Sequence, residues 1–204
     1  MLPCWKCHAE TGGLICAACR SLQPPPRDYF AFFGVPEALA PDRLALEKRF
    51  YELSRLLHPD RFVRRDERER AYSTDATAVL NDGWRTLRDP VARGEYVLSR
   101  HGFPIGEQKT ANVPPELLEE VFELNEWLEE IRHGDDSHRT ALGEAHERFT
   151  AMLAQIDRQL EDRYRAFDAG GGRSVLENVR GLLNRRRYIR NLVRDVESAL
   201  APAA

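Results

Sequence analysis

Ser54-Arg55-Leu56-Leu57-His58-Pro59-Asp60-Arg61-Phe62 is the stretch on which the fold turns, because it closes one helix and begins the loop to the next. Upstream, Leu46, Phe50, Leu53 and Leu57 recur at spacings of four, three and four, which places them on one face of a helix that Asp42 is suited to cap. Pro59 disfavours helical geometry in the residue before it, so this helix stops at His58. A second helix is predicted from near Asp66, with Val79, Leu80, Trp84 and Leu87 as its buried stripe, ending before Asp89-Pro90. A short helix through Ala92, Tyr96 and Leu98 follows. Two long helices joined by a tight loop make an antiparallel hairpin in which the loop is the exposed tip.

Towards the N-terminus, residues 1–22 hold all four cysteines, as Cys4-x2-Cys7 and Cys16-x2-Cys19, in a segment with too little apolar bulk for a core of its own. Two such knuckles let four thiolates converge on one tetrahedral ion, so Cys4, Cys7, Cys16 and Cys19 read as a closed structural site for a single Zn2+. The eight residues between Cys7 and Cys16 are fewer than the roughly 15–20 common in zinc modules, and His8 is an alternative ligand. A redox reading wants one Cys-x2-Cys beside a βαβ pattern, which is absent. A disulfide reading wants an oxidising compartment, and no secretion signal supports one. Zinc binding of about 10–16 kcal/mol supplies the folding energy this segment lacks, so chelation is expected to unfold it and leave the helical remainder intact. Residues 23–27, with Gln23-Pro24-Pro25-Pro26, form a stiff polyproline-like linker that separates modules.

Towards the C-terminus, a Gly- and Pro-rich break runs from His101 to Pro115, with a linker at 103–114. Three amphipathic helices are predicted in 115–204. The first is carried by Leu117, Val121, Leu124, Leu128 and Ile131, and the second by Leu142, Ala145, Phe149, Met152, Ile156 and Leu160. The third is carried by Val175, Val179, Leu182, Ile189, Val193, Val196 and Leu200, with Arg186 interrupting the period. Short turns between them imply an antiparallel three-helix bundle. With no strand pattern after residue 28, the fold class is all-α: a small zinc-binding knuckle, a helical hairpin and a three-helix bundle.

Composition narrows the function. The formal charge of -3 argues against nonspecific nucleic-acid binding, although the tip region is rich in Arg and residues 116–130 are rich in Glu. The basic run Arg185-Arg186-Arg187 with Arg190 and Arg194 is expected to form intramolecular ion pairs. No apolar run approaches the ~18 residues of a bilayer span, and the N-terminus has no signal-like h-region, so a cytoplasmic protein away from membranes is expected. His58 and Asp60 at a hairpin tip have no pocket in which to act as acid or base, and a four-cysteine site leaves no open coordination position. The chain is therefore not expected to be an enzyme.

Phe50, Leu53, Leu57, His58-Pro59-Asp60, Phe62 and Leu87-Arg88-Asp89-Pro90-x2-Arg93-x2-Tyr96 resemble a J-domain, here residues 28–102. Asp28-Tyr29-Phe30, Asn81-Asp82-Gly83-Trp84-Arg85-Thr86-Leu87 and Arg93-Gly94-Glu95-Tyr96-Val97-Leu98-Ser99-Arg100-His101-Gly102 are similar to the HscB family of iron–sulfur cluster co-chaperones. The resemblance covers nearly the whole chain, including a tetracysteine head like that of the mitochondrial members. It implies that the J-domain engages a DnaK-class chaperone of the HscA type through His58, Pro59 and Asp60, with Arg55 and Arg61 steering, and stimulates its ATP hydrolysis. It also implies that the bundle carries an IscU-type cluster scaffold on Leu118, Phe122, Glu123, Glu126 and Tyr188. Leu118 and Phe122 lie one position past Leu117 and Val121, rotated about 100° from the buried seam, and so are surplus to the core. Asn125 and Trp127 depart from the family's pattern at this face. The competing function is a general J-domain co-chaperone with another client and the zinc head as a protein contact. A homodimer is left open.

Overall fold

The computed structural model describes residues 2–103 and 118–201 and divides the chain into two compact units, Met1–Tyr96 and Val97–Ala204. Most of the expected 103–114 linker, the first residues of the expected bundle and Leu117 lie outside the described residues.

In the first unit, strands β1 (Leu2–Pro3) and β2 (Glu10–Thr11) pair antiparallel with Leu2 opposite Thr11. Helix α1 (Tyr29–Phe33) follows, with the Asp28 side chain accepting from the Ala31 N–H and Gly34 closing it in the left-handed conformation at φ 65°. Helix α2 (Arg43–Leu57) starts where Asp42 accepts from the N–H groups of Leu44 and Ala45, and stops at His58, whose ψ of 130° is extended as the following proline requires. A single 3-10 turn, Pro59–Arg61, leads towards α3 (Glu67–Arg88), capped by Asp66 accepting from the Glu69 N–H. Asp89 accepts from the Ala92 N–H and starts α4 (Pro90–Arg100).

Phe30, Phe32, Phe33, Leu39, Leu46, Leu53, Leu57, Ala76, Val79, Leu80 and Leu87 form the core of this unit. Trp84 differs from expectation: it is half-buried and stacks on Phe50 with ring centroids 4.8 Å apart. The neighbouring Gly83 takes the interior position, because a Cβ there would come within 2.9 Å of Phe33 and 3.0 Å of Tyr29. α1 therefore approaches α3 at a residue without a side chain. Arg93 is buried with its Nε donating to the Leu39 carbonyl at 2.9 Å and its Nη1 donating to the Leu87 carbonyl, so one guanidinium ties α4 to two other segments.

In the second unit, α5 (Leu118–Arg132), a 3-10 turn (Asp136–His138), α6 (Arg139–Asp168) and α7 (Arg173–Leu200) bury Val121, Leu124, Leu128, Leu142, Ala145, Phe149, Ile156, Leu160 and Tyr164 against the α7 stripe. The Glu120–Arg148 ion pair and the Glu130–His138 contact set α5 antiparallel to α6. The His146–Glu197 contact and the Asp157–Arg186 ion pair set α6 antiparallel to α7.

The seam of α7 differs from the predicted one in its first half. Leu176 and Leu183 are buried, whereas Val175 and Leu182 are only half-buried. A strict four-three alternation drifts against 3.6 residues per turn. Arg186, its side chain only 19% exposed, occupies the next seam level by donating to Asp157 through both Nε and Nη2. The intramolecular pairing expected of the basic run is present at Arg186–Asp157 and Arg194–Asp195.

Candidate metal centre and interaction sites

The two cysteine knuckles are built alike, twelve residues apart. In the first, the Cys4 N–H donates to the Ala9 carbonyl at 2.8 Å and the His8 N–H to the Cys4 carbonyl at 3.0 Å. In the second, the Cys16 N–H donates to the Ser21 carbonyl and the Arg20 N–H to the Cys16 carbonyl, both at 2.9 Å. His8 (φ 62°) and Arg20 (φ 61°), each just past the second cysteine of its pair, take the left-handed turn that reverses the chain. The four Sγ atoms all lie within 4.8 Å of one another. Cys4–Cys19 and Cys7–Cys16, at 3.6 and 3.7 Å, are two of the four edges between knuckles. A zinc–sulfur bond of about 2.3 Å in tetrahedral geometry gives edges of about 3.8 Å, so the donor set fits a zinc-sized divalent ion. His8 is not part of this cluster.

The thiols are inequivalent. Burial raises the Cys4 thiol, but the Ser21 hydroxyl and the backbone N–H groups of Cys7 and Lys6 outweigh it and hold Cys4 down to about 5. Cys19 is also lowered, chiefly by the Ser21 side chain. At Cys7 the Ala9 backbone favours the thiolate, yet the neighbouring Cys19, burial, Cys16 and Cys4 together push it up to about 12. Sulfurs this close cannot all carry negative charge unaided, and a divalent cation among them removes the repulsion.

The residues between the first two cysteines also dock this head on the helical hairpin. The Trp5 indole donates to the Leu22 carbonyl at 2.7 Å, meets Tyr72 edge-on and lies under the Arg68 guanidinium. Lys6 Nζ is 3.2 Å from Asp66 and 3.6 Å from Glu69, and Asp66 lifts its pKa. Glu69 is only 1% exposed, and its Oε1 accepts from the Leu22 N–H at 3.1 Å. The head therefore rests on the first turns of α3, and both polar groups of the Leu22 backbone are satisfied by residues on either side of the junction.

At the tip, Arg55, His58, Pro59, Asp60 and Arg61 are all exposed, with the Asp60 side chain 86% accessible. The turn is fixed from below. Leu57 and Phe62 are buried on either side of it, and the buried Ser73 hydroxyl donates to the Leu57 carbonyl at 2.7 Å. The Asp60 N–H donates to His58 Nδ1 at 3.3 Å, and Arg61 reaches back to the Arg55 carbonyl. Arg49, another cation of α2, is engaged with the Phe33 carbonyl and Glu52.

On α5, Leu118 and Phe122 are 54% and 66% exposed, and Glu123 and Glu126 are exposed with them. Trp127 is half-buried and stacks on His138. Tyr188 is half-buried, which raises its phenol pKa. The ion-pair rungs of the three helices put Tyr188 about five residues, or roughly 7 Å, beyond the level of Leu118 along the bundle axis.

Ser21, Gln23, Glu69 and Ser73 escape a reading of motifs. Glu69 and Ser73 nevertheless fall on the buried phase of α3, in register with Ala76, Leu80, Gly83 and Leu87. A polar residue on an apolar stripe is the signal that marks them. Ser21 is marked by aligning the knuckles, where it stands opposite Ala9.

Residues 113–197 match the family described as the HSCB C-terminal oligomerisation domain. The mouse iron-sulfur cluster co-chaperone protein HscB is 30% identical over 206 residues, spanning 98% of this chain and 83% of the relative. A co-chaperone protein HscB homolog of Vibrio vulnificus is 39% identical over 140 residues, spanning 66% of this chain and 81% of that protein. The crystal structure of human co-chaperone protein HscB superposes with a TM-score of 0.74 at 28% identity, covering 98% of this chain and 99% of that one. Chaperone HscB from Vibrio cholerae superposes with a TM-score of 0.64, also at 28% identity, over 84% of this chain and 96% of that one. Among the described residues no helix is long and apolar enough to cross a membrane. With the mouse relative 30% identical across 98% of this chain and the human structure superposing over the same span, the chain belongs to the HscB family of iron–sulfur cluster co-chaperones.

Proposed function

We propose that this co-chaperone presents an IscU-type cluster scaffold to a DnaK-class chaperone of the HscA type and accelerates that chaperone's ATP hydrolysis, performing no catalysis of its own. The observation that carries this reading is the exposed tip. His58, Asp60 and Arg61 face solvent around Pro59 on a turn whose flanks are buried, with Arg55 exposed on the last turn of α2 beside them. A charged acceptor on a stiff turn gives a partner a strong and oriented hydrogen bond, and the surrounding cations steer the approach to an acidic surface.

The scaffold is assigned to Leu118, Phe122, Glu123 and Glu126 on α5 together with Tyr188 on α7; the exposed apolar pair and its neighbouring acids on α5 support this, since such groups suit a specific protein interface. The head is assigned one structural Zn2+ on Cys4, Cys7, Cys16 and Cys19, supported by the spacing of their sulfurs. The module boundaries proposed are residues 1–22, 28–102 and 115–204. Steady-state phosphate release from the chaperone, supplied with scaffold, tests the reading: the chain should raise it, and Asp60→Asn should leave it at the basal rate. Full stimulation by that variant refutes the role of the tip.

A further inference from the structure

The two knuckles share one backbone plan but differ where their sulfurs meet side chains. Ser21 stands where the first knuckle has Ala9. Its hydroxyl lies 3.0 Å from Cys19 Sγ and 3.5 Å from Cys4 Sγ. Behind it, Gln23 Nε2 lies 3.0 Å from the Ser21 hydroxyl, 3.0 Å from the Ser21 carbonyl and 3.3 Å from Cys4 Sγ. The Gln23 carboxamide oxygen accepts from the Trp5 N–H at 3.4 Å. Ser21 and Gln23 are 1% and 5% exposed, so neither interaction competes with bulk water. A hydroxyl has one proton to give. With the carboxamide donating to the Ser21 oxygen, that proton is directed at a sulfur, and the shorter contact is to Cys19.

Buried polar side chains are retained where they satisfy a charge or another polar group. Here the ionisable groups that Ser21 and Gln23 touch among the described residues are the Cys4 and Cys19 sulfurs. We propose that Ser21, oriented by Gln23, is a positioning residue for the metal centre: it donates to the Cys4–Cys19 pair of thiolates, stabilises their charge in the metal-loaded state and makes that edge the tight half of the site. Among the described residues no side-chain hydroxyl or amide is placed against Cys7 or Cys16, where Ala9 takes the position of Ser21. This rests on the assignment of a metal to the four cysteines.

Groups that hydrogen-bond to metal ligands typically contribute about 10–100-fold to metal affinity. Ser21→Ala gives the second knuckle the residue already present in the first, and so tests the donor with little change of shape. In the full-length chain, competition with a chromophoric chelator should show zinc held about tenfold more weakly by Ser21→Ala, and more weakly still by Ser21→Ala/Gln23→Ala. In the cobalt-substituted protein the thiolate-to-metal charge-transfer band of Ser21→Ala should move to longer wavelength, because a sulfur that has lost a donor gives up its electron more easily. An unchanged chelator curve together with an unchanged band in Ser21→Ala, with wild type holding one equivalent, overturns the role of Ser21 and leaves the metal assignment standing. Failure of the wild-type chain to retain one metal equivalent overturns both.

Discussion

The His58-Pro59-Asp60 turn and the tetracysteine knuckles are both short loops carrying the chain's most distinctive residues, yet they are assembled in opposite senses. The turn hides its supports and displays its named residues: Leu57, Phe62 and Ser73 are buried, while Asp60 is 86% accessible. The head gathers its named residues around one point, with Cys4 and Cys16 fully buried and N–H and O–H groups aimed at sulfur. A group that acts on another molecule must be exposed and stiff. Groups that hold an ion must converge on one point and match its charge, and here they do so with Cys19 half-buried and Cys7 still exposed. The two meet through α3, whose first turns carry Asp66 and Glu69 beneath the head and whose Ser73 holds the end of α2.

Removing the metal should break the comparison most severely. With zinc as the bound ion, loss of its binding energy of about 10–16 kcal/mol should unfold the head. Because Glu69 is buried beneath it, the loss is expected to reach α3 and not to stop at the proline linker. Hydrogen exchange with and without chelator checks this: amides of the first turns of α3 should lose protection together with residues 4–22. Next, Leu118→Ala with Phe122→Ala should weaken scaffold binding by well over tenfold, since burial of each side chain is worth about 1.5–3 kcal/mol. Titration calorimetry reads the affinity, and an unchanged melting temperature separates the interface from a core role. Ser73→Ala strands the buried Leu57 carbonyl and should cost about 1–3 kcal/mol in denaturant unfolding. The smallest effect is ionic. Raising salt from low to physiological strength should slow association with the chaperone, measured by stopped flow, because the exposed cations at the tip are screened within about 8 Å.

Much of this was legible in the sequence because it is local. Asp42, Asp66 and Pro59 mark helix ends within a few residues of themselves, and cysteine pairs with two residues between them announce a shared ion. The contacts that join these pieces were not legible. Glu69 meets Leu22 across 47 positions and Ser73 meets Leu57 across 16, and only tertiary packing brings them together. The proline run reads as a separator of modules, whereas Trp5 and Lys6 reach past it to α3. At Val175 and Leu182 the α7 seam departs from an ideal heptad, in a helix whose Arg186 reaches Asp157 at the core's edge. Exposure of Leu118 and Phe122 was legible, since they fall beside an otherwise complete apolar stripe.

The central claim is that activation and cargo binding reside on different units, and paired variants test it most directly. Chaperone ATPase rate and scaffold affinity would be measured for Asp60→Asn and for Leu118→Ala/Phe122→Ala. The account predicts that Asp60→Asn binds scaffold like wild type while leaving ATP hydrolysis basal, and that the double variant loses scaffold while still stimulating the chaperone alone. Loss of both properties in either variant, with the fold intact, would contradict it.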